Sequence, residues 1–139
     1  SLELMVLNDL ASQTLIQTGF DTSNAAASWG QTDLSLDVAG LLDVAMSAEY
    51  QTRHDGFRIL LICPPPVIET GPIATEFWGG AARSQALPPL YRALAQSRGV
   101  GFLDAGKVIA VSPVDGVHFD EAAHALLGQA VADAVRGLS

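Results

Sequence analysis

The run Phe57-Arg58-Ile59-Leu60-Leu61-Ile62-Cys63, followed directly by Pro64-Pro65-Pro66, decides the fold of this chain. Its apolar residues are nearly continuous rather than alternating, which is typical of a strand buried on both faces of a sheet. Proline has no backbone N–H group and cannot extend a hydrogen-bonded ladder, so the strand must end at the three prolines. The sequence therefore predicts a buried strand over residues 57–63.

Two shorter apolar runs predict further strands before and after this one. Residues 2–7 form the first run, which stops at Asn8-Asp9, a pair that favours a turn. Residues 100–103 form the second. Between residues 10 and 33 the pattern is less clear: residues 14–20 fit a strand or the edge of a loop, and residues 21–30 fit a loop or a short helix.

Apolar residues at three- and four-residue spacing predict three helices. The first covers residues 33–50, and the second ends at Ser97 after starting at residue 82 or 88. The third follows Asp120, which is suited to cap it. Its predicted apolar stripe consists of Phe119, Ala123, Leu126, Leu127, Ala130, Val131, Ala134, Val135 and Leu138.

Two loops connect these elements. Residues 67–80 predict an irregular loop, interrupted by Gly71-Pro72 and Gly79-Gly80, with Trp78 as a large apolar anchor. Residues 104–117 predict a second long loop.

Strands that alternate with helices indicate a parallel sheet covered on both sides, so we expect an α/β fold. In such sheets, ligands bind outside the carboxyl ends of the strands. Asn8, the prolines at 64–66 and the loop that carries Asp115 and His118 all follow strands. We therefore expect these groups to meet at one edge of the sheet.

The composition predicts a globular protein and argues against some classes of partner. A chain of 139 residues, 49% of them hydrophobic, predicts one globular domain over residues 1–139. Its net charge of −8 argues against nucleic acid and anionic lipid as partners. No apolar run is long enough to span a membrane, and no secretory signal pattern is present, so we expect a cytoplasmic protein. The single cysteine, Cys63, is expected to be a core thiol.

The sequence Asp115-Gly116-Val117-His118 contains an acid and an imidazole separated by two residues. A turn of that size can bring the carboxylate beside the Nδ1 atom of His118. The aspartate would then hold the ring in the tautomer whose Nε2 atom is a base, as acyl transfer to a hydroxyl nucleophile requires. Spacing alone is a weak signal, and by itself it favours a helix-entry turn in which the histidine only caps or packs.

Other candidate groups are weaker. The Asn8 amide could donate to a developing oxyanion, although Asn-Asp after a strand is also ordinary turn chemistry. His54 and His124 lack the spacing of metal ligands, so no metal site is predicted. No glycine-rich phosphate loop is present, and we expect no cofactor.

Taken together, the Asn8 strand end, the Pro-Pro-Pro strand end, Phe102-Leu103-Asp104-Ala105-Gly106 and Val114-Asp115-Gly116-Val117-His118-Phe119 resemble the SGNH (GDSL-type) hydrolases. The similarity is to their arylesterase, carbohydrate acetylesterase and perhydrolase branch. It implies a three-layer α/β/α sandwich with a parallel sheet, and a serine esterase that cleaves small acyl esters through an acyl-enzyme. It also implies Asp115 and His118 as two members of a catalytic triad, and Asn8 as an oxyanion-hole donor.

The chain departs from the family pattern at its beginning. The family's Gly-Asp-Ser-Leu block, with the nucleophilic serine, precedes the Asn block, and this sequence starts at the strand before Asn8. Val6 also replaces the glycine of the family's Gly-x-Asn-Asp. The nucleophile is therefore unknown, and Ser23 is a weak alternative. We expect the chain to lack the first strand and helix of the fold, and to contact a preceding segment or a second copy of itself.

The competing hypothesis is a non-catalytic relative that binds an acyl or sugar ligand or serves as an interaction module.

Overall fold

The computed structural model describes residues 38–40, 42, 43, 45–53 and 58–138. The predictions for residues 2–7, Asn8, Ser23 and His54 lie outside these ranges. Residues 38–40, 42, 43 and 45 are helical. The remaining elements are α1 (Ala48–Arg53), β1 (Leu60–Cys63), α2 (Gly80–Gln85), α3 (Leu87–Arg98), β2 (Gly101–Asp104) and α4 (Glu121–Arg136), with short 3-10 helices at Ala74–Phe77 and Ala105–Lys107.

The two strands β1 and β2 pair in parallel, with Leu60 opposite Gly101 and Cys63 opposite Asp104. Parallel neighbours require a long crossover, which the chain provides through α2 and α3. The predicted parallel α/β fold is therefore confirmed.

One face of the sheet is covered by helices. Ile59, Leu61 and Cys63 point to this face because side chains alternate along a strand. They pack against α3 and the helical residues before α1 in a buried cluster. The members of this cluster are Val38, Leu42, Ala45, Ile59, Leu61, Cys63, Leu87, Tyr91 and Ala95.

The opposite face is covered by α4. Ile62 points to this side and packs, together with Leu127, against a second buried cluster of Ala105, Ile109 and Ala123. The side chain of Asp120 caps the helix by accepting a hydrogen bond of 2.8 Å from the backbone N–H of Ala123. Helices on the two faces give the three layers that the sequence predicts.

Several predicted boundaries need correction. The first helix is interrupted at Met46-Ser47 and resumes at α1, and the side-chain amide of Gln51 donates to the carbonyl of Ala45 at this break. Of the two predicted starts of the second helix, residue 88 agrees to within one residue with the start of α3, where Pro88-Pro89 favours a first turn, and α2 is a separate helix before it. The described strands begin at Leu60 and Gly101.

Two predictions of burial were wrong. Trp78 does not anchor its loop, since it is 75% exposed. On α4, Leu126 and Val135 are 56% and 41% exposed, so the buried stripe is narrower than the sequence pattern. Of the helices in the described ranges, none combines the length and the apolar character needed to cross a bilayer.

Candidate active site

The residues from Asp115 to His118 form a tight turn, which is closed by hydrogen bonds from its backbone to the Asp115 side chain. Asp115 Oδ1 accepts hydrogen bonds of 2.9 Å from the backbone N–H groups of both Val117 and His118. Gly116 supplies the left-handed backbone conformation at the centre of the turn, with φ of +79°. The local sequence therefore fixes where the carboxylate points.

The second carboxylate oxygen of Asp115 lies against the histidine ring. Oδ2 is 2.7 Å from His118 Nδ1. An ionised carboxylate only accepts hydrogen bonds, so Nδ1 carries the proton and the Nε2 atom of a neutral ring has a free lone pair. The His118 side chain is 77% exposed and the Asp115 side chain 25% exposed. The turn thus presents a basic nitrogen outward from an oriented ring.

The same hydrogen bonds keep the Asp115 carboxyl ionised. The backbone N–H of His118, then that of Val117, and then the His118 ring lower the pKa of Asp115 to about 2. Hydrogen bonds to the charged form of an acid favour that form. The carboxylate is therefore available as a fixed negative charge beside the imidazole across the neutral pH range.

Acid pH is expected to remove the stabilisation that this ionised group provides. Its folded pKa of about 2 is below the value of about 4 for an unfolded aspartate, so the unfolded state binds more protons between these pH values. The contribution is complete above about pH 4 and is lost as the pH falls through about 2. The free energies of unfolding of wild type and Asp115→Asn, measured with urea at several pH values, should differ most above pH 4 and converge toward pH 2. A difference that stays constant with pH would contradict this assignment.

Backbone hydrogen bonds hold the Asp115–His118 turn in place. The backbone N–H of Ser112 donates to the carbonyl of His118 at 2.7 Å, and the N–H of Gly116 donates to the carbonyl of Ser112 at 2.8 Å. The N–H of Ile68, beyond the end of β1, donates to the carbonyl of Gly116 at 2.9 Å. This last bond places the turn at the carboxyl edge of the sheet. Ile68 was not among the residues singled out in the sequence, where only the irregular loop around it was visible.

The serine hydroxyls for which the structure describes hydrogen bonds form them with groups other than His118. Ser84 is buried and accepts from the N–H of Val67 at 3.0 Å, and the Ser112 hydroxyl accepts from the N–H of Val114 at 3.2 Å. In the described ranges, no serine hydroxyl forms a hydrogen bond with His118 Nε2. The catalytic roles of Asp115 and His118 stay predictions, and those of Asn8 and Ser23 lie outside the described residues.

The thiol and the acidic groups nearby do not provide another reactive centre. Cys63 is fully buried at the end of β1, and burial followed by the charge of Asp104 raises its thiol pKa to about 12. Asp104 Oδ1 accepts from the N–H of Gly106 at 3.1 Å. Within the part of the chain that the structure describes, no three histidine, cysteine, aspartate or glutamate side chains are grouped so that they could hold a metal ion.

The described fold has clear counterparts among solved structures. A carbohydrate acetylesterase family member from Sinorhizobium meliloti superposes with a TM-score of 0.71 and 33% identity over 77% of this chain and 52% of its own. The aryl esterase of M. smegmatis gives a TM-score of 0.66 with 31% identity over 79% of this chain and 53% of its own. The chain resembles the SGNH-type acetylesterases and aryl esterases.

This resemblance is reproduced by a second SGNH-type structure from S. meliloti, also a carbohydrate acetylesterase. It gives a TM-score of 0.70 and 27% identity over 77% of this chain and 52% of its own. The chain therefore spans about half the length of these SGNH-type structures. No protein-family model and no curated protein matches the sequence.

Proposed function

We propose that this chain provides the base and its orienting acid for a serine ester hydrolase that acts on small acyl esters. The observation that carries the proposal is the hydrogen bond of 2.7 Å between Asp115 Oδ2 and His118 Nδ1, on a ring that is 77% exposed. A histidine oriented in this way can act first as a general base and then as a general acid. The acetylesterase and aryl esterase neighbours support an ester as the substrate.

In the proposed reaction, His118 Nε2 takes the proton of a serine hydroxyl as its oxygen attacks the ester carbonyl carbon. The negative charge of Asp115 stabilises the resulting imidazolium, and the Asn8 amide donates to the oxyanion. Collapse of the tetrahedral intermediate breaks the bond to the alcohol, which receives the proton from Nε2. Water then repeats the sequence on the acyl-enzyme and releases the acid. An alcohol or peroxide in place of water would give acyl transfer.

The proposed nucleophile belongs to a part of the protein outside the described residues. Among the described residues, the hydroxyls of Ser84 and Ser112 accept backbone hydrogen bonds, which are structural uses. A serine from a preceding segment or from a second copy of the chain would complete the site. Such a serine would have to come within hydrogen-bonding distance of His118 Nε2, about 3 Å.

A serine-directed phosphonate tests this proposal directly. The intact protein should hydrolyse a short-chain aryl acetate and form one covalent phosphonate adduct, because an oriented histidine activates one serine and not the others. Peptide mapping of the adduct by mass spectrometry would identify that serine. Heat-denatured protein is the control and should remain unlabelled. The absence of both hydrolysis and labelling in the folded protein would reject the proposal.

A non-catalytic relative is the second candidate function. It is favoured by one observation, that no serine hydroxyl in the described part of the chain contacts His118 Nε2. Such a protein would bind an acyl or sugar ester in the same place without cleaving it. Calorimetry with a sugar acetate distinguishes the two functions: binding without release of acetate supports this candidate, and turnover excludes it.

A further inference from the structure

A short segment after β1, residues 68–71, lies directly against the Asp115–His118 turn. The backbone N–H of Ile68 donates to the carbonyl of Gly116 at 2.9 Å. The carbonyl of Ile68 packs so closely on Gly116 that a Cβ atom at position 116 would overlap it. The two pieces of chain therefore contact each other through backbone atoms, which cannot rotate aside as a side chain can.

Gly71 makes the second contact between the 68–71 segment and the turn. Its φ is +77°, and a Cβ atom placed on it would overlap the carbonyl oxygen of Val114. The same Cβ would lie 2.9 Å from the Cα atom of Asp115. Because these neighbours are backbone atoms, they cannot rotate aside, and any side chain at position 71 must displace Asp115 or the segment itself.

The 68–71 segment is in turn fixed to α2. The N–H of Val67 donates to the buried hydroxyl of Ser84 at 3.0 Å, and that hydroxyl donates to the carbonyl of Ala81 at 3.0 Å. The side chain of Glu69 accepts from the N–H of Ala81 at 3.4 Å. Through these hydrogen bonds, α2 holds the segment that contacts the turn.

We propose that Gly71 is a positioning residue for Asp115. By allowing backbone-to-backbone approach, it sets the place of the carboxylate that orients the His118 ring. This proposal rests on the proposed function, because it concerns the same site. The proposal adds that Gly71, which has no reactive side chain, controls the rate of proton transfer by His118.

The test compares two glycines that share a backbone conformation. Gly71→Ala should lower kcat for an aryl acetate by up to about 100-fold, because displacements on the order of 1 Å in a catalytic group have that effect. KM should change little, since the orienting contact matters in the transition state and not in substrate binding. Gly71→Asn is a second variant, because asparagine enters the left-handed region more readily and yet keeps the Cβ contact.

Gly79→Ala is the matched control. Gly79 has φ of +81° in the same loop, but nothing lies within 4 Å of a Cβ placed on it. Gly79→Ala should therefore be less stable, because alanine is strained at positive φ, but it should keep the wild-type kcat. An unchanged kcat in both Gly71 variants, or an equal loss in Gly79→Ala, overturns the proposal.

A measurement that does not need activity separates this proposal from the proposed function. In carbon-13-labelled protein, the carboxyl signal of Asp115 reports its pKa, which is about 2 in the wild type. Displacement of Asp115 in Gly71→Ala should raise this pKa toward the ordinary value, because its backbone hydrogen bonds lengthen. If the wild type cleaves no ester, the proposed function fails by itself, and the titration decides the role of Gly71. A rise then supports the role, and an unchanged pKa overturns it.

Discussion

His118→Ala is expected to reduce kcat for an aryl acetate by at least about 10⁴-fold, because it removes the group that takes and returns the proton. The protein should stay folded, since the His118 side chain is 77% exposed and contributes little to packing. Initial rates of aryl alcohol release, together with circular dichroism of the variant, measure the two effects. A folded variant that keeps its activity would show that His118 is not the base.

His124→Ala is the matched control for this loss. His124 is exposed on α4, and its ring packs on Phe119 with a centroid distance of 5.3 Å. Its removal deletes the same functional group from a position where no carboxylate among the described residues contacts the ring. We expect near wild-type hydrolysis. If His124→Ala lost as much activity as His118→Ala, the loss of activity in His118→Ala could not be attributed to the Asp115–His118 turn.

Asp115→Asn is expected to reduce kcat by about 10⁴-fold while leaving the backbone of the turn in place. The amide oxygen can still accept from the N–H groups of Val117 and His118, as Oδ1 does in the wild type. The amide NH₂ then faces His118 Nδ1 and donates to it. This donation favours the tautomer that carries its proton on Nε2, so the ring cannot accept the proton of the nucleophile. Steady-state kinetics should show a fall in kcat with KM nearly unchanged.

Asp133→Asn is the control for this substitution. Asp133 is an exposed residue of α4 that pairs with Arg136 at 2.7 Å, and exposed ion pairs contribute little to stability. Its variant should hydrolyse the ester at the wild-type rate. Wild-type kcat in Asp115→Asn would mean that the orientation of the ring does not limit the reaction.

The sequence predicted those parts of the fold whose signals are local. The apolar run before Pro64 predicts a buried strand because both of its faces are covered, and β1 is that strand. Asp120 predicts the start of α4 because a cap involves only the first turn of a helix. The Asp115 to His118 spacing is local in the same way, since its hydrogen bonds span three residues at most.

The sequence did not predict what depends on contacts between distant residues. Gly71 was visible only as a loop signal, because its importance comes from Val114 and Asp115, far along the chain. Trp78 was expected to be buried because of its size, yet burial depends on which surfaces reach it. The break at Met46 also leaves no mark in the helical spacing. The resemblance to a family supplied the chemistry that spacing alone left undecided.

The hydrogen bond between Ile68 and Gly116 also constrains the order in which this chain can become functional during folding. The turn itself closes over a few residues and can form early, but its attachment to the segment after β1 closes a long loop. Closing such loops costs entropy that short-range structure does not, so contacts of this kind form late. We therefore expect the helical circular dichroism signal to return before this contact forms in a refolding chain. For the proposed hydrolase, we expect recovery of activity to report the moment at which β1 and the Asp115–His118 turn have come together.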